Sequence, residues 1–230
     1  MARKDRVPNP PRRPQSPQRR QTQTDPAVAA RRRRNLLLGL GAALVAAALI
    51  LGATFLSSNS PDERQTLQDA GCTLQTFPDQ DGTHLQNLNA KPKWNSAPPT
   101  SGPHHPGPAI WGFYDSPVAL IRSVHNLEHG GIVIHYGPSV SAETVAQIRE
   151  LYDRDENGLL VAPLPTLTPK NTIALTAWTA PERTGGTTDN GRGYLAKCTE
   201  FDEEAFSAFI DEHRYKGPER FPSDLLAPGS

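Results

Sequence analysis

Residues 35–56, NLLLGLGAALVAAALILGATFL, contain no charged side chain, and beyond Asn35 and Thr54 they are all apolar or glycine. This run constrains the chain more than any other feature. A helix rising about 1.5 Å per residue needs about 20 such residues to cross a hydrocarbon core of roughly 30 Å. A secretory leader has an apolar run of only about 7–15 residues before a small-residue cleavage site. Here the run is longer, and Ala53-Thr54-Phe55-Leu56 makes a poor exit, so the sequence predicts an uncleaved signal anchor: one transmembrane helix, single-pass. A buried core helix is the alternative, but it would have to abut the four arginines Arg31 to Arg34.

Those arginines predict orientation. Basic residues flanking a span stay on the cytoplasmic side, which places the N-terminus inside and residues 57–230 outside, a cell-membrane location with an extracytoplasmic domain. The charge totals agree. The formal net charge is zero, but residues 1–34 hold eleven basic and two acidic side chains, +9, and the remainder is −9. The tail is rich in Pro, Gln and Arg and poor in aromatic residues, so it cannot bury enough surface to fold. Its expected partner is the lipid bilayer, through anionic headgroups attracted at about 1 kcal/mol per basic residue near the surface. Nothing interleaves stacking aromatics with the arginines, so no nucleic-acid role is expected. Protein partners are not legible.

Cys72 and Cys198 are the two cysteines. On the oxidising side of a membrane the simplest reading is a disulfide, worth about 4–5 kcal/mol for so long a loop in the chain-entropy model. Free thiolates acting as metal or redox groups are the alternative, without C-x-x-C spacing in support. The bridge brackets the folded part, giving an expected order of a disordered cytoplasmic tail (1–34), the span (35–56), a juxtamembrane linker and short helix (57–71), an extracytoplasmic domain (72–220) and a flexible C-terminus (221–230).

Within the outer domain, Ser60-Pro61-Asp62-Glu63 is a capping box that predicts a helix from Pro61 to Ala70. Thr73–Phe77 reads as a strand. Lys91–Ser116 carries six prolines and excludes both helix and central strand, since each proline removes a donor. It is either an ordered extended loop or a linker, and Trp94, Trp111, Phe113 and Tyr114 favour order. Ile132–Tyr136 is the strongest strand. Ser141 caps a helix to about Asp153, with Val145, Ile148 and Tyr152 on one face. Strands follow at Leu159–Ala162 and Thr172–Thr179, with Ile173, Leu175 and Ala177 inward. Tyr194–Cys198 returns as a hairpin partner, and Asp202 caps a last helix carrying Phe206, Phe209, Ile210 and His213. The order lacks regular βαβ alternation, so the expected class is α+β: a small mixed or antiparallel sheet, flanking helices and a long proline-rich loop.

Six of the seven histidines (His84, His104, His105, His125, His129, His135) lie between residues 84 and 135. Neutral imidazole is the commonest metal ligand. His125-Asn126-Leu127-Glu128-His129 is an H-x-x-E-H string, which in inverted zinc peptidases binds zinc through both histidines and uses the glutamate as base. On a helix His125 and His129 share a face with Glu128 beside them. On an extended segment His125, Leu127 and His129 share a face, and Glu128 points away. Ser101-Gly102-Pro103-His104-His105 offers a further imidazole on a stiff backbone. The expected metal ligands are His104, His125, His129 and Glu128, with zinc or copper as the ion and Glu128 as the candidate catalytic base. Hydrogen bonding of the imidazoles to carbonyls in a tight core is the plainer alternative. His213 reads as structural near a helix C-terminus, His135 stays open, and Tyr114, Trp111 and Trp178 read as core.

The strings Pro98-Pro99-Thr100-Ser101-Gly102-Pro103-His104, Gly112-Phe113-Tyr114 and Val124-His125-Asn126-Leu127-Glu128-His129-Gly130-Gly131-Ile132-Val133-Ile134-His135-Tyr136 resemble a bacterial domain-of-unknown-function family. Its signature runs PPTSGPH, GxY, then VHxLEHGxVxIxY, on a membrane-anchored extracytoplasmic domain. The likeness continues through Ala177-Trp178, Phe209-Ile210 and Gly217-Pro218-Glu219, over about residues 62–220. It implies a domain and a location but no reaction, and it picks out His104, His125, Glu128 and His129. Three functions follow: an anchored metal-binding domain, a metal-dependent envelope hydrolase using Glu128 as base, or a non-catalytic envelope scaffold with packed histidines. No nucleotide loop or nucleophile elbow is present.

Overall fold

The computed structural model describes residues 61–181 and 190–230. The basic tail, the apolar run 35–56 and the spacer 57–59 lie outside the described residues, as does most of the Gly/Thr loop after Pro181. Among the described residues no helix is long and apolar enough to cross a membrane.

The elements, in chain order, are α1 (Pro61–Asp69), β1 (Thr73–Pro78), β2 (Gly112–Phe113), α2 (Leu120–Glu128), β3 (Ile132–Tyr136), α3 (Ala142–Arg154), β4 (Leu159–Pro163), β5 (Ile173–Thr179), β6 (Arg192–Cys198) and α4 (Glu203–His213), then a 3₁₀ turn at Ser223–Leu226. Six strands form one mixed sheet in the order β1-β6-β5-β3-β4-β2. β1, β6, β5 and β3 pair antiparallel, and β3, β4 and β2 pair parallel. The fold is α+β. β1 continues straight from Cys72, and Thr73 faces Lys197, so the next pair in register is Cys72 with Cys198; the two form a disulfide with Cα atoms 4.3 Å apart.

Strand alternation sends residues to two covered faces. Ile132, Ile134, Leu175 and Ala196 pack with α1, α3 and α4 through Leu67, Ile148, Tyr152, Phe206 and Phe209. Val133, Leu160, Ala162 and Trp178 face the other way, against Val124 and Leu127 of α2 and Trp111 of the long loop. β5 is therefore buried on both faces, not only at the expected Ile173, Leu175 and Ala177, because a second layer covers the sheet. α3 begins at its Ser141 cap, whose side chain accepts from Thr144 N–H, and α4 begins at Asp202, which accepts from Ala205 N–H.

Three local expectations change. H-x-x-E-H is helical, so the extended alternative is excluded: α2 runs to Glu128 with His129 as its C-cap. Gly130 follows at φ +89°, a conformation favouring glycine, and Gly131 lies so close to Trp111 that a Cβ would sit 2.1 Å from the indole. The C-terminus, expected to be flexible from residue 221, is instead tied down: Leu226 is buried, Gly158 N–H donates to its carbonyl, and Trp111 and the last two residues exchange backbone hydrogen bonds. β2 was not foreseen, because two residues carry no periodicity.

Candidate metal centre

α2 lays its last turn on the sheet face that carries Trp178. Seven of its nine residues are buried, including the polar Ser123, His125, Asn126 and Glu128. Asn126 locks the incoming loop by accepting from Ala109 N–H and donating to Ala109 O, both 2.9 Å. Residues 79–111 then fold over this turn without regular helix or strand, apart from a single bridge between His84 and His104. In that bridge Leu85 N–H donates to His104 O and His104 N–H donates to Thr83 O. The loop is braced by Trp94 Nε1–H on Pro103 O and by Gln80 N–H on Ser101 Oγ.

These constraints bring His84, His104, His125 and Glu128 together, one ligand atom from each lying within 4.8 Å of all the others. Glu128 Oε2 is 3.0 Å from His104 Nε2 and 3.6 Å from His84 Nε2. The centres of the three imidazoles are 4.9, 4.9 and 5.2 Å apart. Three imidazoles bound tetrahedrally to one ion at about 2.0–2.1 Å would hold their centres about 5 Å apart, so the residues fit an ion.

The tautomers point the same way. His104 Nδ1 lies 2.8 Å from Gly102 O and His125 Nδ1 lies 2.9 Å from His105 O. A carbonyl only accepts, so both Nδ1 atoms carry the hydrogen and Nε2 is the nitrogen that each ring turns toward the cluster. A metal-ligating histidine is ordinarily oriented in this way, with its second nitrogen donating to a carbonyl or carboxylate. His104 is fully buried, while His84 is exposed and forms the open side. Gly82 is part of the cradle: a Cβ there would lie 2.7 Å from Glu128 Oε1 and close to Trp178.

Burial pushes the Glu128 carboxyl up, but the His104 hydrogen bond and the nearby His104, His125 and His84 imidazoles outweigh it and hold the group below the ordinary carboxylate value. Burial lowers His125, against the opposing hydrogen bond to His105, and takes His129 down to about 4 with help from neighbouring His125. Both rings are thus neutral and able to ligate near pH 7.

Of the expected ligands, His104, His125 and Glu128 converge. His129 stands outside the four-residue group, its Nε2 2.9 Å from His125 Nε2 and 3.9 Å from Glu219 Oε2. His84 takes the remaining place. It belongs to the histidine cluster, but the bridge carrying it to His104 is a contact between distant residues with no local sequence signal. His105 bonds locally to Gly107. Trp178 is core as expected, yet its ring also meets His104 edge-on, and its Nε1 has no hydrogen-bond partner among the described residues. His135 is buried, has no partner on either nitrogen among the described residues, and is pushed down to about 4 by that burial. His213 is held in the opposite layer by Glu63, 2.9 Å away.

Residues 86–224 match a family described as Protein of unknown function (DUF3105), and the chain belongs to that family. The match starts later than the likeness over residues 62–220 suggested; it includes His104, His125, Glu128, His129 and Glu219 and begins two residues after His84. No curated protein and no solved structure matches the chain.

Proposed function

We propose that this protein is a transition-metal-binding domain, held outside the cytoplasmic membrane by the apolar segment 35–56, that binds zinc or copper through His84, His104, His125 and Glu128. The observation that carries the reading is the orientation of the two buried rings of this cluster. His104 and His125 each give Nδ1–H to a backbone carbonyl and turn Nε2 toward the other donors. With Nδ1 committed, each of these rings has one nitrogen left, and Glu128 is the single anion that these nitrogens and that of His84 face.

The donor set narrows the ion. Cys72 and Cys198 are consumed in the disulfide and Met1 is the chain's one methionine, so no sulfur is at hand. Three imidazoles and a carboxylate suit zinc or copper(II) better than copper(I). Binding is favoured over hydrolysis because Glu128 Oε2 lies where a ligand lies, 3.0 Å from His104 Nε2. A base acting on metal-bound water stands off the ion and keeps a free oxygen for the proton.

Elemental analysis of the full-length chain, purified from the membrane fraction, tests this. One ion per chain is expected, lost in both His104→Ala and Glu128→Gln. Metal retained by Glu128→Gln together with a lost hydrolytic turnover would favour the hydrolase reading. Negligible metal in the unaltered chain would leave the histidines as packing groups of a scaffold.

A further inference from the structure

The sheet face that carries the metal centre also carries a cavity that none of the four donors lines. Four stretches of chain meet there: the loop before His104, the first turn of α2, the turn that follows β4, and β6. The cavity holds about 270 Å³, a little below the roughly 300–1,000 Å³ of pockets for drug-sized ligands, so its occupant is small. Its walls are largely apolar. Leu164 and Leu167 belong to a small core cluster against which Leu120 packs, and the loop contributes Trp94, Pro98 and Pro99.

These walls are held in place by hydrogen bonds within the protein. The indole of Trp94 is fixed by its bond to Pro103 O, and Thr100 N–H donates to Ser96 Oγ on the lining. Thr100 is seated so closely on β6 that a Cβ at Gly193 would lie 2.0 Å from its Oγ1. In the turn after β4, Leu164 N–H donates to Tyr136 O and Leu167 N–H donates to Leu164 O.

Lys197 supplies the one charge of the lining. It lies on β6, an interior strand, across from Thr73 and Ala174. Strand alternation puts it on the face of Leu195, opposite Ala196 and Cys198 of the larger core. Its ammonium has no hydrogen bond or ion pair among the described residues, and no Asp or Glu lines the cavity. A half-buried ammonium beside apolar walls suits an anion that brings an apolar body of its own. One ammonium matches the single charge of a carboxylate, and no guanidinium fork is present to grip a phosphate. Thr166, on the same lining, offers a hydroxyl donor as well. We propose that this cavity binds a small carboxylate with an apolar body, its charge on Lys197 and its body against Trp94 and Leu167. The site shares no residue with the metal centre and stands whether or not an ion is bound there.

The test uses the full-length chain in an uncharged detergent, with chelator present so that no metal ion takes up the probe. 3-Phenylpropionate is titrated beside its neutral counterpart 3-phenylpropanamide, by calorimetry and by tryptophan fluorescence. Saturable one-to-one binding of the carboxylate is expected, about tenfold or more tighter than that of the amide, as for a hydrogen bond to a charged group. Lys197→Met should remove that preference by weakening the carboxylate alone, and Lys197→Arg should keep it. Trp94 is half-buried on the lining, whereas Trp111 and Trp178 are each 3% exposed, so Trp94→Phe should silence the fluorescence response. Absence of saturable binding overturns the proposal, as does a carboxylate preference that survives Lys197→Met. A fluorescence response that persists in Trp94→Phe overturns it too, by putting the ligand elsewhere. If Lys197→Met does not fold, the unaltered chain decides: equal affinity for carboxylate and amide overturns the role of Lys197.

Discussion

The pair His213–Glu63 and the pair His104–Glu128 are both buried and nearly equal in length, 2.9 and 3.0 Å, but they keep different company. His213 stacks on Tyr194, with Phe209 edge-on, and links α4 to α1 in the layer holding the larger core cluster. There, one imidazole meets one carboxylate. On the other face of the sheet three imidazoles meet a single carboxylate, and two of them have already spent a nitrogen on the backbone. Equal numbers make a structural tie. An excess of imidazoles around one anion makes a place for a cation.

The largest expected effect separates the two. Removing one partner of a buried hydrogen bond to a carboxylate costs roughly 1.5–3 kcal/mol, so His213→Ala should lower unfolding free energy by about that much and leave metal affinity alone. His104→Ala should lower zinc affinity by more than about 100-fold, beyond the loss of a supporting outer-shell partner. Urea unfolding with and without chelator, beside chelator competition, reads both quantities. A fall in affinity in His213→Ala matching that in His104→Ala would erase the distinction.

His135 adds a buried histidine with neither a carboxylate nor a second ring against it among the described residues. Burial pushes its pKa to about 4, from an unfolded value near 6.5. Above 6.5 both states are neutral. As the pH falls toward 4 the unfolded chain takes up a proton that the folded chain refuses, so stability falls. Between pH 6.5 and 5 this amounts to about 2 kcal/mol. His135→Leu should flatten the stability–pH curve by about that amount in calorimetry; a parallel curve would refute the neutral buried ring.

A smaller effect probes the cradle. Gly82→Ala would place a methyl against Glu128 Oε1, so the carboxylate must move while the rest of the fold is spared. Zinc affinity should drop by about tenfold, as when a ligand's support is disturbed. An unchanged affinity would mean that Glu128 reaches the ion by its other oxygen without adjustment.

The elements that the sequence announced are those with local causes. Ser141 and Asp202 cap their helices, Ile132–Tyr136 is a β-branched run, and Cys72 meets Cys198 because β1 and β6 bring them into register. α2 is harder to read. It is nine residues long, it has no side-chain cap at Ala119, and buried Ser123, His125, Asn126 and Glu128 hide the apolar stripe that would reveal a helix. The site is legible to the same degree. His104, His125 and Glu128 lie in compact strings, whereas His84 reaches it through long-range backbone bonds between its neighbours and His104, which leave no mark on neighbouring residues.

The bridge between Cys72 and Cys198 spans 126 positions, and His84, His104, His125 and Glu128 all fall between its ends. All four donors thus belong to a closed covalent circle. One backbone cut anywhere within the circle leaves all four donors on a single molecule.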